Sequence, residues 1–529
     1  MTSTSRYTSV PGEATDEADS ASSTTRPASS AGRCSQRDTG LVHHFARAGV
    51  AGSTAFVLIC LFLSLMSWHQ SGFTSSSGSA SKSLSSERRR DRTMNEATCK
   101  AEFPLLFPQI QDNVAAWQAK GGISYTDLDQ AARTCAGNWG MARIVIRDGQ
   151  LFLRQVREGG ESRISALLHL VHTAVTTDPS SFTSADDPSN TGVELVLSEA
   201  DKDASPTSDA VWVLSKRTSE PKSKGTWLLP DFGFAGWPET GIASFAEFLH
   251  LASLQDHLVP WSHKADRVLW RGLANGYAPR VDLISRTDPR KVPGAEKWAD
   301  VLQTSFHDVG DDFHPIIPMH HHCRHKFLVQ TEGNSYSGRG KFLWSCRSVT
   351  VAHPMEWTQH FHAALNSNAN SRQQNMVELR GPLFSGLEET VKQLQATAHI
   401  PSTQDLAFNY TNGGGALKLN PPQRIAENAV ESLRNRYLTP AATNCYLRAA
   451  IKAYARVLKK DTWPREENAA AWDVGGVGIV PHGGPGGGVA PGSGKAKDLA
   501  ALAVKGDIEY GVWRLIGSPD WPPVVAKPK

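Results

Sequence analysis

Hydrophobic and polar positions divide the chain into clearly different stretches. From Met1 to about Arg47 it is Ser, Thr, Ala, Pro and charge with almost no large apolar side chain, too little buriable surface to offset the entropy of ordering. Residues 1–48 are therefore expected to be a disordered tail. Gly49 to Trp68, centred on Ala55-Phe56-Val57-Leu58-Ile59-Cys60-Leu61-Phe62-Leu63, then runs uncharged for about the ~20 residues that cross a bilayer as helix. A cleaved signal peptide begins near the N-terminus, so the long polar stretch ahead of this segment favours a transmembrane helix over 49–68. Residues 69–98, Ser-rich at first, read as a flexible stalk.

From about Cys99 to Lys460 the pattern is globular. Apolar runs at Ala142-Arg143-Ile144-Val145-Ile146 and Val193-Glu194-Leu195-Val196-Leu197 predict strands. Ile164 to Ala174 and Ser244 to Leu254 have helical spacing, and Arg424 to Arg436 with Ala441 to Leu458 predict two helices that close the domain. Such alternation predicts an α/β fold. Beyond Asp461, the Gly/Pro run Val474 to Gly494 reads as loop or disordered tail, 461–529. Gly494-Lys495 resembles the end of a phosphate-binding P-loop, but Ala496 replaces the metal-binding hydroxyl and Val489 the first glycine, which excludes it.

Length and charge narrow the function classes. A chain of 529 residues suggests two or three folded units. With 55 basic against 52 acidic residues and a formal charge of +3, it lacks the basic excess of a dedicated nucleic-acid binder. Arg33, Arg37 and Arg47 precede the apolar segment, and Lys82 and Arg88-Arg89-Arg90 follow it. The nearest charge, Arg47, favours a cytosolic N-terminus and hence a type II orientation. Seven cysteines form no CxxC pair, so neither a zinc ribbon nor a thioredoxin motif is available. In an oxidising lumen Cys99, Cys135, Cys323, Cys346 and Cys445 allow at most two internal bridges, their pairing open.

Candidate chemistry concentrates in a few places. Thr331-Glu332-Gly333-Asn334-Ser335-Tyr336-Ser337-Gly338-Arg339 follows the apolar Phe327-Leu328-Val329 and precedes Lys341-Phe342-Leu343-Trp344, a strand, small-residue loop and helix. Gly333 and Gly338 allow a ligand close to the backbone, and Arg339 suits two parallel hydrogen bonds to a diphosphate; a tight turn with a surface arginine is the alternative. Trp270-Arg271-Gly272 ends an apolar run, where open α/β sheets bind ligands, although Arg271 also suits a structural pair with a carboxylate. Glu158, Glu161, Asp201 and Asp203 are candidate proton acceptors. Asp201-Lys202-Asp203 also has the form that holds a divalent cation, and solvated loop acids are the plainer reading. His314 and His320-His321-His322-Cys323-Arg324-His325 carry metal-binding side chains, but consecutive residues cannot all face one ion. Trp227, Trp237, Trp261, Trp270, Trp344 and Trp357 fit a core or a stacking platform. Asn409-Tyr410-Thr411 is an N-glycosylation sequon, meaningful in a luminal domain.

In order, Gly121 to Ser124, Val193 to Asp201, Trp227-Leu228-Leu229-Pro230-Asp231-Phe232-Gly233-Phe234-Ala235-Gly236-Trp237-Pro238, Pro260-Trp261 to Trp270-Arg271-Gly272, His322-Cys323-Arg324-His325-Lys326-Phe327-Leu328, the Glu332 to Arg339 loop, Cys346-Arg347-Ser348-Val349, Ile425-Ala426-Glu427-Asn428 and Arg436 to Tyr446 resemble the capsule-associated-protein domain of glycosyltransferase family 90. The resemblance is nearer the fungal branch than the Rumi-type protein O-glucosyltransferases. It implies a GT-B-like fold: two Rossmann-like lobes, 99–262 and a donor-binding 263–460 with the closing helices, facing each other across a cleft. It also implies inverting transfer of a sugar, xylose or glucose, from a UDP-sugar to a glycan or protein hydroxyl. Carried over by position, Ser337 and Arg339 hold the donor diphosphate, and Arg271 is a second phosphate-gripping residue.

The Rumi-type catalytic aspartate precedes an aromatic-Pro-x-Arg-Cys segment; Arg157-Glu158-Gly159-Gly160-Glu161-Ser162-Arg163 stands here instead, without that aspartate or cysteine. The base is then Glu158, Glu161 or Asp201, or the chain binds glycan or nucleotide sugar without turnover. No cofactor is required on this reading, and Mn or Mg is optional, because GT-B proteins generally meet the diphosphate with protein charge. A zinc hydrolase built on the histidine stretch is a further rival. The expected location is the Golgi or endoplasmic reticulum membrane, with a luminal catalytic part and no nucleic-acid partner.

Overall fold

The computed structural model describes residues 84–135, 140–157, 159, 162–182, 192–201, 209–305, 313–404, 408–412, 415–462, 507–515 and 517–520. The expected tail 1–48 and transmembrane segment 49–68 lie outside them. No helix among the described residues is long and apolar enough to cross a membrane.

The first sheet holds β1 (Met141–Arg147), β2 (Gln150–Arg157), β3 (Val193–Ser198), β4 (Val211–Trp212) and, from the far end of the chain, β14 (Ile508–Glu509), in the order β14-β2-β1-β3-β4. Asp148 and Gly149, both at positive φ, turn β1 into β2 in the two-residue hairpin that Asp-Gly favours. β1 runs antiparallel to β2 and β3, and only the β3–β4 pair is parallel. The expectation of a Rossmann-like first lobe therefore does not describe this sheet. Apolar runs predict strands but not the direction in which they pair.

The second sheet is parallel throughout: β6 (Ala265–Gly272), β7 (Ala299–Gln303), β8 (His325–Gln330), β9 (Val349–Ala352) and β11 (Val377–Glu378), in the order β11-β9-β8-β6-β7. Counted along the chain this is the 2-1-3-4-5 order of doubly wound folds, whose switch point lies between the first and third strands, β6 and β8. Alternate residues feed two cores. Val268, Trp270, Phe327 and Val329 enter one, while Leu269 and Leu328 enter the core continuous with the first sheet.

Smaller pieces join these layers. A two-stranded ribbon pairs β5 (Lys216–Arg217) with β10 (Trp357–Thr358), and β12 (Phe408–Asn412) pairs with β13 (Gly415–Leu419). Asn409 lies on β12. The helix Pro440–Ala455 packs on Arg163–Thr176 and Pro108–Ala119, beside the first sheet. Disulfides join Cys99 to Cys445 and Cys323 to Cys346, and Cys135 is in neither. All described residues belong to one compact unit, 81–529.

Two expected flexible regions are partly folded. Residues 84–98 of the expected stalk carry the helix Ser86–Arg90 and the start of Glu96–Glu102, with Leu84 buried and Arg89 donating to Asn435 Oδ1 at 2.7 Å. Within 461–529, Ile508–Glu509 adds to the edge of the first sheet and Trp513 is fully buried. Buried Asp507 pairs there with Arg147 at 3.1 Å and Arg154 at 3.0 Å.

Candidate active site

The switch point of the parallel sheet is also where the two strand ends singled out by sequence meet. β6 ends at Trp270-Arg271-Gly272, and β8 runs through Gln330 into the loop 331–339 and the helix Gly340–Leu343. The Arg339 guanidinium lies over the Trp270 ring, 5.4 Å from its centroid. A Cβ at Gly272 would stand 2.6 Å from Arg339 Nη2, so a side chain there would displace the arginine. At Gly338 a Cβ would meet the Trp237 ring at 3.5 Å, an ordinary contact that leaves the position unconfined.

Arg339 forms no ion pair with a carboxylate among the described residues. Burial first, then the neighbouring Arg280 charge, pull its pKa down to about 9. Arg280, absent from the sequence-based candidates, donates from Nε to the Glu332 carbonyl at 3.2 Å and from Nη1 to the Leu273 carbonyl at 2.9 Å. Two adjacent, half-buried guanidiniums suit a ligand of high negative charge density.

Arg271 is differently engaged. Its Nη2 donates to Asp300 Oδ1 and its Nη1 to the Asp300 carbonyl, both at 2.7 Å, so the expected phosphate-gripping arginine pairs with a carboxylate of the neighbouring strand. Buried Ser337 sits in the same loop as Arg339.

Asp201 comes from the other sheet. It follows β3, yet its carboxylate accepts a hydrogen bond from the Ser335 hydroxyl and its carbonyl accepts one from Asn334 Nδ2. Burial pushes its pKa upward, opposed by the Ser335 hydrogen bond and by the charges of Arg163 and Arg280. A carboxylate thus abuts the arginine-bearing loop. Asp203, Glu158 and Glu161 lie outside the described residues. The segment holding the two glutamates leads into the helix Arg163–Thr176, and the Ser162 amide donates to Glu239 Oε1 at 2.8 Å.

Buried polar groups fix the loop 331–339. The Glu332 carboxylate accepts the backbone N–H of Trp357 at 2.8 Å and of Glu356 at 3.1 Å, and burial raises its pKa to about 7. Lys341 donates to Asp231 Oδ1 at 2.7 Å and to the Gly338 carbonyl at 2.6 Å. Asp231 also accepts from Gln359 at 2.8 Å, and its Lys341 pair ties the Trp227 to Pro238 segment to the helix after the loop. Below it, Lys264 bonds Asp256 at 2.6 Å and the Cys323 carbonyl at 2.5 Å, and Arg434 reaches Asp256 at 2.5 Å.

The histidine stretch is built for packing. Cys323 is committed to its disulfide, His322 is buried with Nδ1 3.4 Å from the Pro318 carbonyl, and no three metal-binding side chains cluster among the described residues. A zinc site using the Cys323 thiolate is thereby overturned. Trp227, Trp261, Trp270, Trp344 and Trp357 are buried, and of the six tryptophans only Trp237 is partly exposed.

Residues 96–371, more than half of the chain, match the family model described as glycosyl transferase family 90. The chain belongs to glycosyl transferase family 90. It is similar to human (Homo sapiens) protein O-glucosyltransferase 1, 23% identical over 249 residues, which cover 45% of this chain and 55% of that protein. It is also similar to the Rattus norvegicus protein O-glucosyltransferase 1, 27% identical over 148 residues, which cover 26% of this chain and 36% of that protein. The chain thus spans about half the length, or less, of these relatives. The family match covers β1 to β4 of the first sheet and the second sheet as far as β9, and so includes Asp201, Arg271, Arg280 and Arg339.

Sequence reasoning about this family 90 chain missed Arg280, Glu332 as an anchor, and the Lys341–Asp231 pair. Arg280 had one available signal: Pro279, at the start of the helix Ala278–Thr287 next to β6, marks a helix entrance at the switch point.

Proposed function

We propose that this chain transfers a sugar, xylose or glucose, from a UDP-sugar to a hydroxyl of a glycan or protein, inverting the anomeric carbon. The observation that carries the reading is Arg339, a half-buried arginine without a carboxylate partner among the described residues, at the switch point beside Arg280 and within one loop of Asp201. The diphosphate would lie against Arg339, Ser337 and the loop amides beside Gly338, with Gly272 and Gly333 giving room to the Arg339 and Arg280 guanidiniums. Trp270 backs the Arg339 guanidinium. Arg271 would act from its Asp300 pair, through the end of β6.

The reaction needs one proton acceptor. The acceptor hydroxyl gives its proton to a carboxylate as its oxygen bonds to the anomeric carbon, while the carbon–oxygen bond to the diphosphate breaks and UDP leaves. Asp201 is the base we favour, ahead of Glu158 and Glu161, because it reaches the donor loop from the opposite sheet. Residues 99–262 then serve as the acceptor half and 263–460 as the donor half of a GT-B-like enzyme. A divalent cation, Mn or Mg, is optional, since two arginines supply the charge.

The names of the relatives, protein O-glucosyltransferases, support glucose as donor sugar and protein as acceptor. The two disulfides fit an oxidising compartment. Together with the apolar segment 49–68, they support a type II anchor and a luminal domain in the Golgi or endoplasmic reticulum. Acceptor-dependent UDP release from a panel of UDP-sugars, with and without EDTA, tests this proposal. Release with one donor supports it, and the absence of donor binding and turnover across the panel contradicts it.

A further inference from the structure

Arg280 contacts both loops of the proposed centre, and its charge acts on Asp201 and Arg339. It stands in the first turn of the helix Ala278–Thr287, behind β6. One guanidinium edge bonds the Leu273 carbonyl, just past Gly272, at 2.9 Å; the Nε bonds the Glu332 carbonyl, in the loop after β8, at 3.2 Å. The loops leaving the two switch-point strands are thus bridged by one side chain. Nη2 lies against the second loop's glycine, 2.5 Å from the position of a Cβ on Gly333. Tyr277 flanks the guanidinium, 5.4 Å from ring centroid to Arg280. Its charge acts on Asp201 and on Arg339, while no ion pair within the described residues neutralises it.

We infer that Arg280 is a positioning residue: it sets the spacing of the loops leaving β6 and β8 and places a fixed positive charge opposite Asp201, so that donor diphosphate and proton acceptor are aligned together. This rests on the transferase reading above. Asp201 is faced by Arg163 from its own half, by Ser335 and Tyr336 from the loop after β8, and by Arg280 from the helix after β6. Arg163 and Arg280 favour its ionised form, and burial opposes it. Removing one positive charge therefore shifts the acid limb of turnover to higher pH. Removing the two carbonyl contacts separates the loops, and a displacement of about 1 Å costs on the order of 10²-fold in rate.

The test compares wild type, Arg280→Gln, Arg280→Lys and Gly333→Ala in the full chain, by UDP affinity and by the pH profile of kcat. Arg280→Gln is expected to lower kcat about 10²-fold, weaken UDP about tenfold and move the acid limb upward. Arg280→Lys restores the limb, because the charge returns, but not kcat. Gly333→Ala displaces Arg280 without removing its charge and lowers kcat with a smaller upward shift of the limb than Arg280→Gln; it also serves as the readout if Arg280→Gln does not fold. Folded variants with wild-type kcat, UDP affinity and acid limb overturn the inference while leaving the transferase reading intact. A wild-type chain that neither binds UDP nor turns over any donor defeats that reading and removes the alignment with it. If UDP binds without turnover, the affinity comparison alone decides.

Discussion

The Ser335 hydroxyl donates a hydrogen bond to the Asp201 carboxylate, although Asp201 follows a strand of the first sheet and Ser335 lies in the loop leaving the second. A candidate base and a candidate phosphate loop are thereby held in direct contact. Asp201→Asn keeps an oxygen that accepts from Ser335 but removes the proton acceptor. If Asp201 is the base, kcat falls by about 10²–10⁴-fold while UDP affinity changes little, which steady-state kinetics and calorimetry together resolve. Unchanged kcat assigns the proton transfer to Glu158 or Glu161.

Arg339 and Arg271 should separate experimentally. Arg339 has no carboxylate to leave unpaired, so Arg339→Ala is expected to fold normally and lose roughly 1.5–3 kcal/mol of UDP binding, the range for hydrogen bonds to charged groups. Arg271→Ala leaves the mostly buried Asp300 short of its closest partner and should lower stability by about 1–3 kcal/mol. Thermal melts and UDP titrations of both variants check the contrast.

Stability should fall on acidification. His322 and His362 are held neutral by burial, their pKa values pulled down to about 3, and His360 is lowered in the same direction. The unfolded chain binds these protons near pH 6.5 and the folded chain does not. The contribution is therefore fully present above about 6.5 and is lost progressively as pH falls toward the folded values. Glu332, raised to about 7, acts oppositely: its contribution is fully present below the ordinary glutamate range and is lost as pH rises through about 7. His360 is packed among Phe234, Phe361 and Tyr446 with both ring nitrogens lacking hydrogen bonds. His360→Phe is thus expected to flatten the acid limb of a plot of Tm against pH. An unchanged limb contradicts the assignment.

The C-terminal strand is a structural part of the first sheet. Asp507→Ala leaves Arg147 and Arg154 without a shared buried partner and is expected to cost about 3–5 kcal/mol. A chain ending before 507 should be at least as destabilised, and denaturant titration measures both.

Much of this architecture was readable from local pattern. Ala142 to Ile146 lies within β1 and Val193 to Leu197 within β3; Ser244 caps the helix Phe245–Leu258 by accepting from the Glu247 amide. The two strand ends that meet at the switch point, Trp270-Arg271-Gly272 and the loop 331–339, were also identifiable, because glycine next to arginine after an apolar run implies close approach to a ligand. Pairing was not readable. Periodicity carries no strand direction, so the antiparallel first sheet was missed, as was the β14 strand beyond a Gly/Pro-rich stretch. Nor does local pattern reveal long-range partners: Asp300 for Arg271, Asp231 for Lys341, and the two loops bridged by Arg280.

The central claim, a donor diphosphate bound at Arg339 for transfer by a base in reach, is tested most directly by UDP release from UDP-glucose and UDP-xylose with mixed glycan and peptide acceptors. Wild type, Arg339→Ala and Asp201→Asn would be run side by side. Acceptor-dependent release by wild type with one donor is expected, with loss in Arg339→Ala through weakened donor binding and loss in Asp201→Asn with donor binding retained. Full activity in a folded Arg339→Ala chain at sub-saturating donor would contradict the claim.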